Sequence, residues 1–216
     1  DQHDPSGAPI PRIPAFPPIV VVDWPTALDP VVFFDMEGAG HQAATQIIQH
    51  GHERIGVITP PMAQPSVADT HTGIHQAFGD ASLTLQSEHV AHVPDFSTQS
   101  GIEGAEQLLA LDPPPTAILA FGDQLAIGVI QAANSHGLNI PTDLALVSFG
   151  DIAVAPYLDP PLTTIHQDAA AAGTAATQML FQLINDEPPD ATRILLPTNL
   201  IARRSCGCPA KPIPSQ

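Results

Sequence analysis

The sequence predicts an α/β protein built on parallel sheets, and three observations carry that expectation. Short, continuous apolar runs recur as IVVVD, VVFFD, RIGVIT, TAILAF and LALVSF, the form of strands buried on both faces. Between most of them lie stretches whose apolar residues recur at helical spacing, which is the pattern of right-handed βαβ crossovers. Finally, 216 residues, 44% of them apolar, can bury one large core or two small ones, and length alone slightly favours two units.

The elements follow in order. The first 18 residues hold six prolines, each fixing φ and removing a backbone donor, so 1–18 is expected to be a loose tail. Strands are expected at IVVVD from Ile19 and at VVFFD from Val31. From Glu37 to Gly51, Ala39, Ala43, Ala44, Ile47 and Ile48 fall on one helical face, and Gly51 suits the position just past a helix end. RIGVIT is the next strand. A helix over about 67–80, a strand near 88–93, a helix over 100–111 and the strand Thr116–Phe121 continue the alternation. GDQLAIGVIQAANSHG then reads as a helix and LALVSF as a strand. In YLDPPLTTIHQD the prolines stop what precedes them, and Leu162 to Ile165 allow only a very short β-branched strand. A long helix over about 167–186 and two short strands interrupted at Pro197 close the pattern. A brief crossing after five βα units, followed by one helix and a return, suggests a chain passing between two lobes.

Composition excludes several functions. Six basic against 22 acidic residues give a formal charge of −16, which repels phosphate backbones and anionic membranes, so this chain is not expected to bind nucleic acid itself. No run is long enough to span a membrane, and the N-terminus has no basic region followed by an apolar one. The two cysteines, Cys206 and Cys208, build no disulfide framework. A reducing, cytoplasmic setting fits.

No metal and no cofactor are expected. His50 and His52 flank Gly51, so their side chains diverge, and Cys206 and Cys208 have a C-x-C spacing without a second pair, expected as a surface pair of thiols. No G-x-S-x-G elbow, Walker loop or G-x-G-x-x-G occurs, and no nucleophile stands beside a base, so no catalytic residue is named. The remaining enzymatic reading would use Asp35, Glu37 or His41 with a metal.

In open parallel sheets ligands sit beyond the carboxyl ends of the strands. That rule selects Asp35, Thr59, Phe96, Gly122, Asp123, Gly150 and Asp151. Helix capping or a first-turn position is the plainer role for Asp123, and for Asp151 likewise. Phe96 lies in the polar turn VPDFSTQSG; spacing alone favours an ordinary core residue, and stacking on a planar or sugar ligand is the functional alternative.

Several segments in order, GHERIGVIT at 51–59, PDFSTQSG at 94–101, PTAILAFGDQLAIGVIQAANSHGLNIPTDLALVSFGD at 115–151, PPLTTIHQD at 160–168 and the terminal LLPTNLIARRSCG, resemble the effector-binding domain of LacI/GalR-type bacterial regulators. That family is built like type I periplasmic sugar-binding proteins. The resemblance runs from about Ile19 to Pro209. It implies two Rossmann-like lobes, with three crossings near Asp23–Pro30, Leu162–Gln167 and Asp186–Thr192, and a sugar or purine-like effector held between the lobes. Residues 19–30 plus 167–187 would be a remnant of the first lobe, and 31–165 plus 190–208 a complete second lobe. The helix-turn-helix DNA reader and the early βα units of the first lobe are absent from this sequence, which reads as N-terminally truncated.

The resemblance places Ser66, Thr70, Phe96, Gly122, Asp123, Gly150, Asp151 and Gln167 at the ligand. Thr70 stands where members usually carry a ligand-gripping arginine, and Gly150 where they carry an acid. Tyr157 and Leu158 are expected at a homodimer interface. The implied function is effector sensing and dimerisation, with DNA reached only through a reader outside this chain. The alternative is a ligand-poor protein-interaction module derived from the same domain.

Overall fold

The computed structural model describes residues 17–24 and 29–208, so most of the expected proline-rich tail lies outside the described residues. Its strands form two sheets. The smaller consists of β1 (Val21–Val22), β2 (Val31–Phe34) and β8 (Arg193–Leu196), in the order β1-β2-β8 and parallel throughout. The larger consists of β3 (Ile55–Thr59), β4 (Val90–His92), β5 (Ala117–Ala120), β6 (Ala145–Gly150), β7 (Thr163–Gln167) and β9 (Thr198–Ile201). Its order is β4-β3-β5-β6-β7-β9, parallel except where β9 runs against β7.

Strand composition explains the larger sheet. Every residue of β3 and β5 is buried, as are Ala145 to Phe149 of β6, because helices cover both faces. These helices are α1 (Met36–Gln49), α2 (Pro65–Asp80), α3 (Thr98–Leu109) and α4 (Asp123–Ser135). They pack in two pairs, α1 with α2 and α3 with α4. Right-handed crossovers put the pairs on opposite faces. Each pair closes on small residues: a Cβ on Gly73 of α2 would overlap the Glu37 carbonyl of α1, and one on Gly128 of α4 would overlap the Thr98 carbonyl of α3. α5 (Ala169–Ile184) packs on the smaller sheet.

The chain changes sheet three times, between Phe34 and Met36, between Gln167 and Ala169, and at Pro197. Two of these crossings share a local design. Asp35 caps α1 by accepting a hydrogen bond from the Gly38 N–H at 2.8 Å, and Asp168 caps α5 by accepting one from Ala171 at 2.9 Å. Pro197 has no N–H to give a ladder, so pairing breaks there and the strand transfers to the other sheet.

These positions correct the sequence expectation. Val31–Phe34 and Arg193–Leu196 belong to the smaller sheet, so the boundaries expected at 31 and 190 move to Asp35 and Pro197, and the crossings expected at 23–30 and 186–192 move with them. An apolar run reports burial on both faces but not which sheet supplies its neighbours. The neighbours here are set by the ladder of β2 with β8 and by Arg193, whose guanidinium lies 5.3 Å from the centre of the Phe33 ring. The three crossings are side by side: the Asp35 N–H donates to Leu196 O at 2.9 Å, the Thr198 hydroxyl donates to Asp35 O at 3.1 Å, and Gln167 pairs with Thr198 in register. Among the described residues no helix is long and apolar enough to cross a membrane.

Candidate ligand-binding cleft

A cleft of about 270 Å³ opens beyond the carboxyl ends of the larger sheet. Gln64 and the first turns of α2 supply one wall through Ser66, Val67 and Thr70. Phe121 and Gly122 come from the end of β5, Phe149 from β6 and Gln167 from the end of β7. Met36 opens α1, and Asp23, just past β1, brings the smaller sheet to the mouth.

Phe96 is presented by a hydrogen-bonded turn. The Asp95 carboxylate accepts from the Ser100 hydroxyl at 2.6 Å and the Ser97 N–H at 2.9 Å, while the Ser97 hydroxyl caps α3. The Ser100 and Ser97 hydrogen bonds hold the Asp95 pKa down at about 2. The Phe96 ring lies over Gly122, where a Cβ would approach ring carbon Cδ1 to 3.2 Å, and 39% of the residue remains exposed.

Behind it, Phe121 meets Phe149 edge-on at 5.5 Å, and His71 stands 4.8 Å from Phe121. The Thr59 hydroxyl donates to Pro60 O at 3.0 Å, so it accepts from His71 Nε2–H at 3.1 Å, which fixes the neutral tautomer. Burial, helped by His75 and His92, pushes the His71 pKa down to about 4.

The polar lining is neutral apart from Asp23. That residue is exposed as a whole, yet its carboxyl sits low enough in the mouth for burial to raise its pKa. Thr70 is nearly buried, its hydroxyl donating to Ser66 O at 2.7 Å. The Gln167 amide donates to Met36 Sδ at 2.8 Å.

Of the residues expected at the ligand, Ser66, Thr70, Phe96, Gly122 and Gln167 come together in this cleft, whereas Asp123, Gly150 and Asp151 do not line it. Asp123 is 2% exposed and accepts from the Ser148 hydroxyl, the Thr164 hydroxyl at 2.8 Å and the Ile152 N–H at 2.7 Å. It opens α4 but ties β6 to β7 instead of capping the helix. Gly150 has φ +129°, and a Cβ there would stand 3.2 Å from Asp123 Oδ2. Asp151 pairs with Arg203 at 2.7 Å and His166 at 3.0 Å.

The acids considered for catalysis are also committed elsewhere. Asp35 caps α1, Glu37 accepts from Gln76, and His41 pairs with Asp80 at 3.0 Å. Sequence reasoning missed Phe121 and Phe149 because it took the residues after each apolar run, and these are the last apolar residues of β5's extension and β6. The expected surface pair of thiols is corrected as well: Cys206 is fully buried and receives a hydrogen bond from the Thr163 hydroxyl at 3.2 Å. Tyr157 is 83% exposed and Leu158 half-buried, both at a short turn before β7.

Two parallel sheets joined by three adjacent crossings, with a cleft at the carboxyl edge, define the periplasmic-binding-protein-like class. Residues 44–206 match the family described as periplasmic binding protein-like domain. The HTH-type transcriptional repressor PurR of Yersinia enterocolitica is 34% identical over 192 residues, covering 87% of this chain and 56% of the relative. Among solved structures, a complex of the transcriptional regulator CelR with cellobiose superposes with a TM-score of 0.81 at 27% identity, over 86% of this chain and 58% of the other. A LacI family regulator from Enterococcus faecium with bound ribose gives 0.79 at 25% identity, over 87% and 70%.

The chain belongs to this family, within the branch formed by the effector-binding domains of LacI/GalR-type regulators. It spans about half the length of the curated relatives it matches. Those relatives are repressors, a non-enzymatic class, and the enzymatic alternative is set aside with them.

Proposed function

We propose that the chain is the effector-sensing part of a cytoplasmic LacI/GalR-type transcriptional regulator and that its effector is a small, uncharged, sugar-like metabolite. One observation carries the reading: a half-open aromatic ring, Phe96, faces a lining whose polar groups, apart from the Asp23 carboxyl at the mouth, are neutral amides and hydroxyls, with no cationic group among the described residues. A sugar presents C–H faces to such a ring and hydroxyls to Gln64, Ser66 and Gln167. An anionic effector would find no positive partner among the described lining residues. The bound cellobiose and ribose of two structural neighbours support the same class of ligand. Binding between the two lobes would favour one of two arrangements and so control DNA reading by a helix-turn-helix segment of the kind named in the relatives. With a charge of −16, this chain would not hold DNA itself.

A thermal-shift screen of sugars, nucleosides and purines tests the proposal. A ligand at a hundred times its dissociation constant stabilises the fold by about 2.7 kcal/mol, a readily visible shift in Tm. Phe96→Ala should weaken the hit by about tenfold, the size of one lost aromatic contact. A cooperative melt that no compound moves counts against the sensor.

A second reading, an interaction module without a working cleft, draws on the exposure of Tyr157 (83%) and Val154 (49%) at the turn before β7. It requires a homodimer that Tyr157→Asp dissociates, measured by sedimentation, with no response to small molecules.

A further inference from the structure

We propose that His50, Cys206 and Cys208 form a binding site for a thiophilic metal ion of the Zn²⁺ type, at the opposite end of α1 from the cleft. Their ligand atoms all lie within 4.8 Å of one another. His50 Nε2 is 3.2 Å from Cys208 Sγ, and the two sulfurs are 2.6 Å apart. His50 ends α1, while both cysteines lie in the turn that follows β9, so residues about 160 apart in sequence meet here. Gly207, at φ +84°, turns the backbone between the cysteines and directs both sulfurs to one side. The divergence expected of His50 and His52 does occur, since His52 turns to the Thr116 hydroxyl at 2.9 Å, and it is what carries His50 onto the cysteines.

Both sulfurs have hydrogen-bond donors beside them. The Thr163 hydroxyl oxygen already accepts from the Arg203 N–H at 2.9 Å, which leaves its hydrogen to be given to Cys206 Sγ. The Gln46 amide lies 3.0 Å from Cys208 Sγ as a donor, and also 2.9 Å from His50 Nε2. Such partners orient metal ligands. Two thiolates and an imidazole select a borderline-soft ion over Mg²⁺ or Ca²⁺. Tetrahedral coordination with metal–sulfur bonds of about 2.3 Å needs the sulfurs about 3.8 Å apart, which a small rotation of the Cys208 side chain provides. Among the described residues the group numbers these three, and water can complete the tetrahedron. Metal binding displaces the two thiol protons to solvent, so affinity rises with pH.

The test is a titration of the full chain, kept reduced with a phosphine, using Co²⁺ as a spectroscopic probe and Zn²⁺ as competitor. One equivalent of Co²⁺ should give thiolate-to-cobalt charge-transfer absorption that Zn²⁺ abolishes. His50→Gln, at an exposed position, and Cys208→Ser, at the edge of the core, should each weaken binding by about a hundredfold, and Gln46→Ala by about tenfold. His52→Gln should leave binding unchanged. Zn²⁺ should raise the Tm of the parent chain but not that of the His50→Gln, Cys208→Ser double variant. Absence of charge-transfer absorption, or its survival in the double variant, overturns the site.

Discussion

Asp123 accepts from three donors of β6, β7 and the turn between them, and its removal is a stability experiment and not a binding one. Asp123→Ala leaves the Ser148 and Thr164 hydroxyls and the Ile152 N–H in a buried space, at a cost of about 3 kcal/mol in urea unfolding. His71 gives a pH signature. Its folded pKa of about 4 lies below the unfolded value near 6.5, so the unfolded chain binds more protons as pH falls. His71 adds no pH dependence above pH 7.5 and lowers stability from 6.5 towards 4, by a few kcal/mol in all; His71→Gln should remove that part of the decline. The strand-end rule located Asp123 and Gly150 along the sheet but could not say which way each side chain faces. Whether a residue points into the cleft or across to β7 is decided by partners distant in sequence, such as Thr164 for Asp123.

Helix contacts are the next level. Gly73 meets the Glu37 carbonyl where α1 and α2 cross, so Gly73→Ala must push the helices apart, with an expected loss of about 2–3 kcal/mol and an unchanged urea m-value. The existence and order of these elements were legible because their signals are local: helical spacing in α1, continuous apolar runs in β3, β5 and β6, and prolines before β7. Which sheet a strand joins was not legible. Pro197 was visible as an interruption, yet its role as a transfer point depends on β8 pairing with β2, more than 150 residues earlier in the chain.

The molecule as a whole carries apolar surface on its smaller sheet and α5, where Phe181 is 61%, Ile184 56% and Leu195 56% exposed. An exposed patch of this kind promotes association. The chain alone should show a concentration-dependent mass in sedimentation, reduced by Phe181→Glu with Leu195→Glu. Tyr157→Asp tests a different face, so the two variants separate association through α5 from the dimer considered above. The crossings at Asp35, Gln167 and Thr198 have a mechanical consequence. Because they lie within hydrogen-bonding reach of one another, they act as a single pin, and any swing of one sheet against the other grows with distance from it. Phe96 sits over the end of β5, two strands from β7, a lever arm of about 10 Å. A swing of about 15° would carry it through about 2.6 Å, nearly the length of a hydrogen bond, while Gln167 beside the pin stays still. Phe96 and Gln167 ride on the same sheet, so what such a swing changes is the gap between the ring and Asp23, the lining residue that follows β1 of the smaller sheet.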